Sequence, residues 1–125
     1  AIGCRVSDDR RHVTVFLARA QAIEVLANLA SNPIIAVVFT RPSTHQAIQL
    51  KASDAAEVPC TPSDEEVYAR SAETFIQELV KVGYREAFAR AVIPPRGREV
   101  VAVRFTPTDA FVQTPGPNAG QRLRP

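Results

Sequence analysis

The chain has 125 residues, of which 46% are hydrophobic and 22% charged, and its formal net charge is +2. This length predicts one domain with a hydrophobic core, and the composition is that of a globular protein rather than a disordered one. No apolar run approaches the roughly 20 residues of a membrane span, and the basic residues are scattered without interleaved aromatics, so neither a membrane nor a nucleic-acid partner is expected.

The first third of the chain predicts a β-hairpin followed by a helix. Ile2, Cys4 and Val6 alternate with Gly3, Arg5 and Ser7, which is the period of a half-buried strand. After a turn, a return strand is predicted over His12–Ala18, with Val13, Val15 and Leu17 on one face and Thr14 and Phe16 on the other. Residues 19–31 then change to helical spacing, and their polar side chains form one narrow stripe, so we expect this helix to be covered on most sides. Asn32-Pro33 ends it.

The centre of the sequence predicts two further strands joined by a turn. Ile34–Phe39 is an unbroken apolar run rich in β-branched residues, which predicts a strand buried on both faces. The next strand is predicted over His45–Lys51. Because side chains alternate across a strand, His45, Gln49 and Lys51 should share one face, and Gln46, Ile48 and Leu50 the other.

The last third predicts two helices and a final strand region. Thr61 to Glu66 has the hydroxyl cap, early proline and acidic first turn of a helix start, and Gly83 ends that pattern. The remaining predicted elements are a short helix over residues 85–92, strands over residues 99–105 and 110–113, and an irregular tail over residues 114–125. Together these elements indicate an α+β fold with a mainly antiparallel sheet that closes into a small barrel.

Charge is unevenly distributed along the chain. Residues 1–52 carry six basic and three acidic side chains, residues 53–89 three and eight, and residues 90–125 six and two. The predicted strands therefore lie in the basic parts, which favours a small ligand that bears a phosphate.

Cysteine usage and the start of the chain give further expectations. Cys4 and Cys60 are not in a Cys-x-x-Cys pair, so we expect both to be packing residues, with no disulfide framework and no metal site. No secretory signal is visible, which favours a cytoplasmic protein. The chain lacks methionine and opens within a strand pattern, so we expect further residues before Ala1.

Four segments carry a resemblance to a known family. They are Val13–Leu17, Leu26–Pro33 with the apolar strand after it, Thr44–Lys51, and the Phe-x-Gln-Thr-Pro-Gly-Pro sequence of Phe111–Pro117. Their order resembles that of the pyridoxamine 5′-phosphate oxidase-like, FMN-binding split-barrel family, in particular a subgroup of small members, over nearly the whole chain. The resemblance implies a six-stranded split β-barrel with flanking helices and a homodimer that holds FMN in grooves between its subunits. It also implies an oxidoreductase that acts on a small-molecule substrate of unknown identity.

The resemblance also implies positions for the cofactor contacts. Family members bind the flavin phosphate with basic and hydroxyl residues and contact the ring edge with a glutamine on the strand after the apolar one. By motif position that glutamine is Gln46 or Gln49, and Arg19 lies where a phosphate-binding residue is expected. The further candidates for cofactor binding are Arg41, Thr44, His45 and Lys51.

Alternatives remain open at this stage. Four of the seven candidates also have a structural interpretation: His45 as a turn residue, Arg19 as a surface arginine, and Gln49 and Lys51 as a solvated strand face. The chain has no tryptophan, which pyridoxamine oxidases proper use near their C-terminus, so vitamin B6 oxidation is not expected. No catalytic residue is predicted. F420 or haem could replace FMN, and the alternative function is a non-catalytic split-barrel dimer that binds a cofactor or haem-like ligand.

Overall fold

The computed structural model describes residues 1–93 and 99–124, which form eight strands and three α-helices. The strands are β1 Gly3–Val6, β2 Val13–Ala18, β3 Ile35–Arg41, β4 Gln46–Ala52, β5 Ala56–Val58, β6 Val100–Phe105, β7 Asp109–Val112 and β8 Arg122–Leu123. The helices are α1 Ile23–Ser31, α2 Pro62–Lys81 and α3 Glu86–Ala91. A short 3₁₀ turn, Arg19–Gln21, precedes α1.

The strands form two antiparallel four-stranded sheets. The first sheet has the order β1-β2-β6-β5, and the second has the order β3-β4-β7-β8. The predicted α+β class and antiparallel pairing are therefore confirmed, as is the N-terminal hairpin. Both sheets are open in the described part of the chain, so closure into a six-stranded split barrel stays a prediction.

The hydrophobic core lies between the two sheets. Alternate residues of β2, Val13 and Val15, face it together with Val103 and Phe105 of β6. The second sheet and α1 supply the opposing side chains, which are Leu26, Leu29, Ile35, Val37, Phe39 and Leu50. Because these residues come from segments far apart in sequence, the core joins the two sheets into one packed unit.

The other face of the first sheet is covered by α2. The rings of Phe16 and Tyr68 meet edge to face with their centroids 5.7 Å apart. A Cβ added at Gly3 would lie 2.9 Å from the Ser71 hydroxyl oxygen and 3.1 Å from the Tyr68 Cα, so β1 and α2 approach too closely for a larger residue. Strands β2 and β6 are consequently the ones that are buried on both faces.

Two predictions of burial are wrong. Strand β3 lies at the edge of its sheet, and only its odd-numbered side chains face the core, so Ile34 and Val38 are 66% and 51% exposed. Helix α1 contains no buried residue, and Ile23 is 66% exposed, because only its Leu26 and Leu29 reach the core. Both segments therefore present uncovered apolar side chains in the single chain.

Smaller differences concern element ends. His45 precedes β4 instead of starting it, because its positive φ of 56° closes the turn from β3. The tail predicted to be irregular forms β8, which pairs with β7. Cys4 packs against the core as predicted, whereas Cys60 is exposed.

The predicted helix start at Thr61 is confirmed and contains a buried carboxylate. The backbone N–H of Thr61 donates to Asp64 Oδ2 over 2.7 Å, and Asp64 Oδ1 lies 2.6 Å from Arg5 Nη1 of β1. The Asp64 side chain is fully buried, so Arg5 compensates its charge and fixes the start of α2 against the first sheet.

We expect Asp64→Ala to lower the free energy of unfolding by about 3 kcal/mol, because it removes one partner of a buried ion pair. This loss in the free energy of unfolding is at the low end of the range for breaking a buried ion pair, because the Arg5 side chain is 35% exposed. Urea denaturation measures it. Glu65→Ala, which removes an exposed acid from the same helical turn, is the control and should cost less than about 1 kcal/mol. Equal losses in the two variants would contradict this role of Asp64.

Candidate functional site

An apolar cleft lies at the end of the β3–β4 hairpin, where the core-facing side of the second sheet continues beyond the core. Its volume is about 540 Å³. The residues that line it, here called the hairpin-end cleft, are Phe39, Thr40, Arg41, Gln46, Ala47, Ile48, Val112, Thr114 and Leu123. Phe39, Ile48 and Val112 are direct neighbours across three strands, so their side chains share one face. Ile48 is 41% exposed and gives the cleft an accessible apolar wall.

Polar groups stand at the rim of this cleft. Arg41 and Gln46 are opposite each other in the β3–β4 register, so both side chains extend from the same face as Ile48. Thr114 is held against β4, because its Oγ1 accepts a 3.0 Å hydrogen bond from the Ala47 N–H. The backbone N–H of Thr114 also donates to the Ala47 carbonyl over 3.1 Å. With Thr40, which also lines it, the cleft combines apolar walls with a guanidinium, an amide and two hydroxyl groups.

The turn that closes the hairpin is fixed to α2 through Glu78. The backbone N–H of Ser43 donates to Glu78 Oε2 over 3.2 Å, and the Ser43 hydroxyl donates to the same oxygen. Lys81 Nζ donates to Glu78 Oε1 over 2.8 Å. The hydrogen bonds from Lys81 and Ser43 lower the pKa of Glu78 to about 2. This anchor determines where Arg41 and the turn residues lie relative to the helix.

Within the turn, Thr44 and His45 lie beside the rim of the cleft but not in its lining. The Thr44 N–H donates to the Arg41 carbonyl over 3.3 Å, and Thr44 Oγ1 lies 3.4 Å from Gln46 Oε1. The expectation that His45 shares a strand face with Gln49 and Lys51 is wrong, because His45 is in the left-handed turn.

Gln49 and Lys51 lie on the opposite face of β4 from Gln46, as the alternation predicts. Gln49 is paired with Phe111 of β7, and Lys51 Nζ lies 4.9 Å from the centroid of the Phe111 ring. A cation at this distance is attracted by the ring. Because Gln46 and Gln49 are on different faces, a ligand that lies against one face of the sheet contacts only one of them.

Arg19 begins the 3₁₀ turn directly after β2 of the first sheet, apart from the other candidates, and is paired with two carboxylates. Its Nε is 2.6 Å from Glu99 Oε1, and its Nη2 bonds to Glu57 Oε1. These bonds, that to Glu57 most of all, raise the pKa of Arg19. A phosphate that binds Arg19 would therefore have to compete with Glu57 and Glu99, which already neutralise the Arg19 guanidinium.

The seven candidates consequently occupy three places: the hairpin end with Arg41, Thr44, His45 and Gln46, the opposite strand face with Gln49 and Lys51, and the isolated Arg19. Val112, Thr114 and Leu123 also line the hairpin-end cleft, and they were not among the residues predicted from the sequence. The signal for Thr114 was present, since it lies in the Phe111–Pro117 segment, but the segment alone does not say which strand it contacts.

Comparison of the chain with protein-family models, with curated proteins and with solved structures found no match. Within residues 1–93 and 99–124, no helix combines the length and the apolar character needed to cross a membrane. In the same residues, no three histidine, cysteine, aspartate or glutamate side chains are grouped as metal ligands.

The lowered pKa of Glu78 predicts a pH-dependent contribution to stability. A carboxylate whose pKa falls from 4.5 to about 2 on folding stabilises the native state above pH 4.5. That contribution is lost as the pH falls towards about 2. Glu78→Gln should therefore lower stability at neutral pH and flatten its decline between these two pH values.

Urea denaturation at a series of pH values tests this expectation. Glu66→Gln, an exposed acid on the same helix, is the control and should leave the decline unchanged. Parallel pH curves for Glu78→Gln and the parent chain would contradict the role of Glu78 as the anchor of the turn.

Proposed function

We propose that the chain is an FMN-binding flavoprotein of the pyridoxamine 5′-phosphate oxidase-like type, and that it binds FMN in the hairpin-end cleft. The observation that carries this proposal is the lining of the cleft, which combines four large apolar side chains with one amide, one guanidinium and two hydroxyl groups. Its volume of about 540 Å³ is within the range of small-molecule sites.

The flavin ring fits this chemistry because its faces are apolar and one edge carries carbonyl and N–H groups. Phe39, Ile48 and Val112 offer apolar contacts to a ring face, and the Gln46 amide can both donate to and accept from the polar edge. Gln49, on the other side of β4, has no access to the same cleft. The proposal therefore assigns the flavin contact to Gln46 rather than to Gln49.

The proposed fold is the six-stranded split barrel. Six strands have four or more residues, namely β1, β2, β3, β4, β6 and β7, whereas β5 and β8 have three and two. We assign the six longer strands to the barrel and the two short ones to its periphery. The core shared between both sheets supports this assignment.

A second copy of the chain is proposed to cover the exposed face of β3. Ile34, Ala36 and Val38 form an uncovered apolar stripe along the edge of the second sheet. Strands that are apolar at every position are typical of sheets covered on both faces. A homodimer through this stripe would remove it from water and bring the two copies of the sheet together.

The chain's part in the chemistry would be binding and orientation. Bound FMN would accept a hydride equivalent from a small-molecule substrate, which is the chemistry that flavin supplies. The hairpin-end cleft is lined by no carboxylate, histidine or cysteine among the described residues, so the chain offers no acid or base there. The same observation favours the second candidate function, a non-catalytic dimer that binds a cofactor. Cycling of the bound flavin between its oxidised and reduced forms on addition of an electron donor would distinguish the oxidoreductase from the non-catalytic dimer.

Flavin fluorescence titration tests the cofactor proposal. We expect FMN to bind the parent chain, and Gln46→Leu to weaken binding about tenfold because one hydrogen bond to the ring edge is lost. Gln49→Leu, the same change on the opposite face of β4, is the matched control and should bind as the parent does. Equal weakening in both variants, or no binding by the parent chain, would refute the proposed site.

Light scattering after size exclusion tests the dimer. The parent chain should have the mass of two copies, and Val38→Lys should have the mass of one, because a charge in a buried apolar interface is costly. Val80→Lys replaces a valine of α2 that is also exposed and should stay dimeric. A parent chain that remains a single copy at high concentration would exclude the dimer.

A further inference from the structure

We infer that a second cleft, between the β3–β4 turn and α2, is an anion site that binds a phosphate group through Arg41 and Arg70. This basic cleft has a volume of about 340 Å³. Its lining residues are Thr40, Arg41, Pro42, Arg70, Ser71, Thr74, Phe75 and Glu78. Arg70, on α2, was not among the sequence candidates.

The two arginines are available to a ligand. Both are exposed, and within the described residues neither forms an ion pair with a carboxylate, unlike Arg19. Arginine presents a planar set of N–H donors that matches the oxygens of a phosphate. Two guanidinium groups that line one cleft from different elements can therefore contact different oxygens of the same group.

The one carboxylate in the basic cleft is already neutralised. Glu78 accepts hydrogen bonds from Ser43 with one oxygen and from Lys81 with the other. The lining holds two arginines and this one carboxylate, with which Lys81 also pairs, so the net charge of the lining is positive. The hydroxyl group of Thr40 lies in the same lining and can donate a further hydrogen bond, whereas the Thr74 hydroxyl already donates to the Arg70 carbonyl over 3.0 Å.

The class of ligand follows from the position of the basic cleft beside the hairpin-end cleft. Thr40 and Arg41 line both clefts, so the two are adjacent around the end of β3. A molecule with a ring system and a phosphate monoester could place the ring in the hairpin-end cleft and the phosphate between Arg41 and Arg70. The phosphate site itself does not depend on flavin binding, and the identity of the ester rests on the proposed function.

Titration with inorganic phosphate tests the site directly. Binding is followed by chemical shifts of the ¹⁵N-labelled chain at constant ionic strength, since exposed cations attract any anion weakly at low salt. We expect saturable binding with amide shifts at residues 40, 41, 43 and 70–74, and about a tenfold loss of affinity or more in each of Arg41→Gln and Arg70→Gln. Arg11→Gln and Arg104→Gln remove exposed arginines elsewhere and should not change the affinity.

A second pair of titrations, with FMN and with riboflavin, identifies the source of the phosphate. FMN binding that exceeds riboflavin binding in the parent chain, but not in Arg70→Gln, supports the cleft as the seat of the cofactor phosphate. Phosphate binding that depends on both arginines while FMN binding does not supports the cleft as the site of a phosphorylated substrate. Absence of saturable phosphate binding, or equal affinity in the parent and both arginine variants, would overturn the inference whatever the flavin result.

Discussion

Strands β2 and β6 are covered by the second sheet on one face and by α2 on the other, and the arrangement of the whole chain depends on this double burial. Phe16, Val103 and Phe105 have almost no exposed surface. Each such side chain contributes roughly 1.5–3 kcal/mol relative to its exposed state. Because one pair of strands packs against both layers, it fixes the second sheet and α2 relative to each other, and the basic cleft, which residues from both of them line, depends on that relation.

Helix α2 connects the core to the candidate site through charged residues along its length. Asp64 at its start is buried against Arg5 of the first sheet, and Glu78 near its end bonds the turn of the β3–β4 hairpin. Arg70 lies between these two anchors and lines the basic cleft. The helix therefore acts as a rigid support that sets the distance between Arg70 and Arg41, which a flexible loop would not do.

The sequence was sufficient for features that depend on local periodicity. Alternation predicted the N-terminal hairpin and the placement of Gln46 and Gln49 on opposite faces, and the residues after Thr61 predicted the start of α2. The prediction that β3 is buried on both faces was wrong. An apolar run indicates that both faces of a strand avoid water, but it does not indicate whether the same chain or another one buries them. The expected two-face burial belongs instead to β2 and β6.

Features that depend on distant partners could not be predicted. Arg19 is neutralised by Glu57 and Glu99, which are 38 and 80 positions away, and nothing near Arg19 in sequence indicates this pairing. Thr114 contacts Ala47 across 67 positions, so its place in the cleft depends on the pairing of β4 with β7. Pairings of this kind are determined by the tertiary fold rather than by local sequence.

We propose that a ligand lies at the end of the β3–β4 hairpin, on the face that carries Gln46. The most direct measurement is the map of backbone amide shifts in the ¹⁵N-labelled chain on addition of FMN. We expect the largest shifts to cluster at residues 39–41, 46–48 and 112–114. Shifts centred on Arg19, or on Gln49 and Lys51, would contradict it.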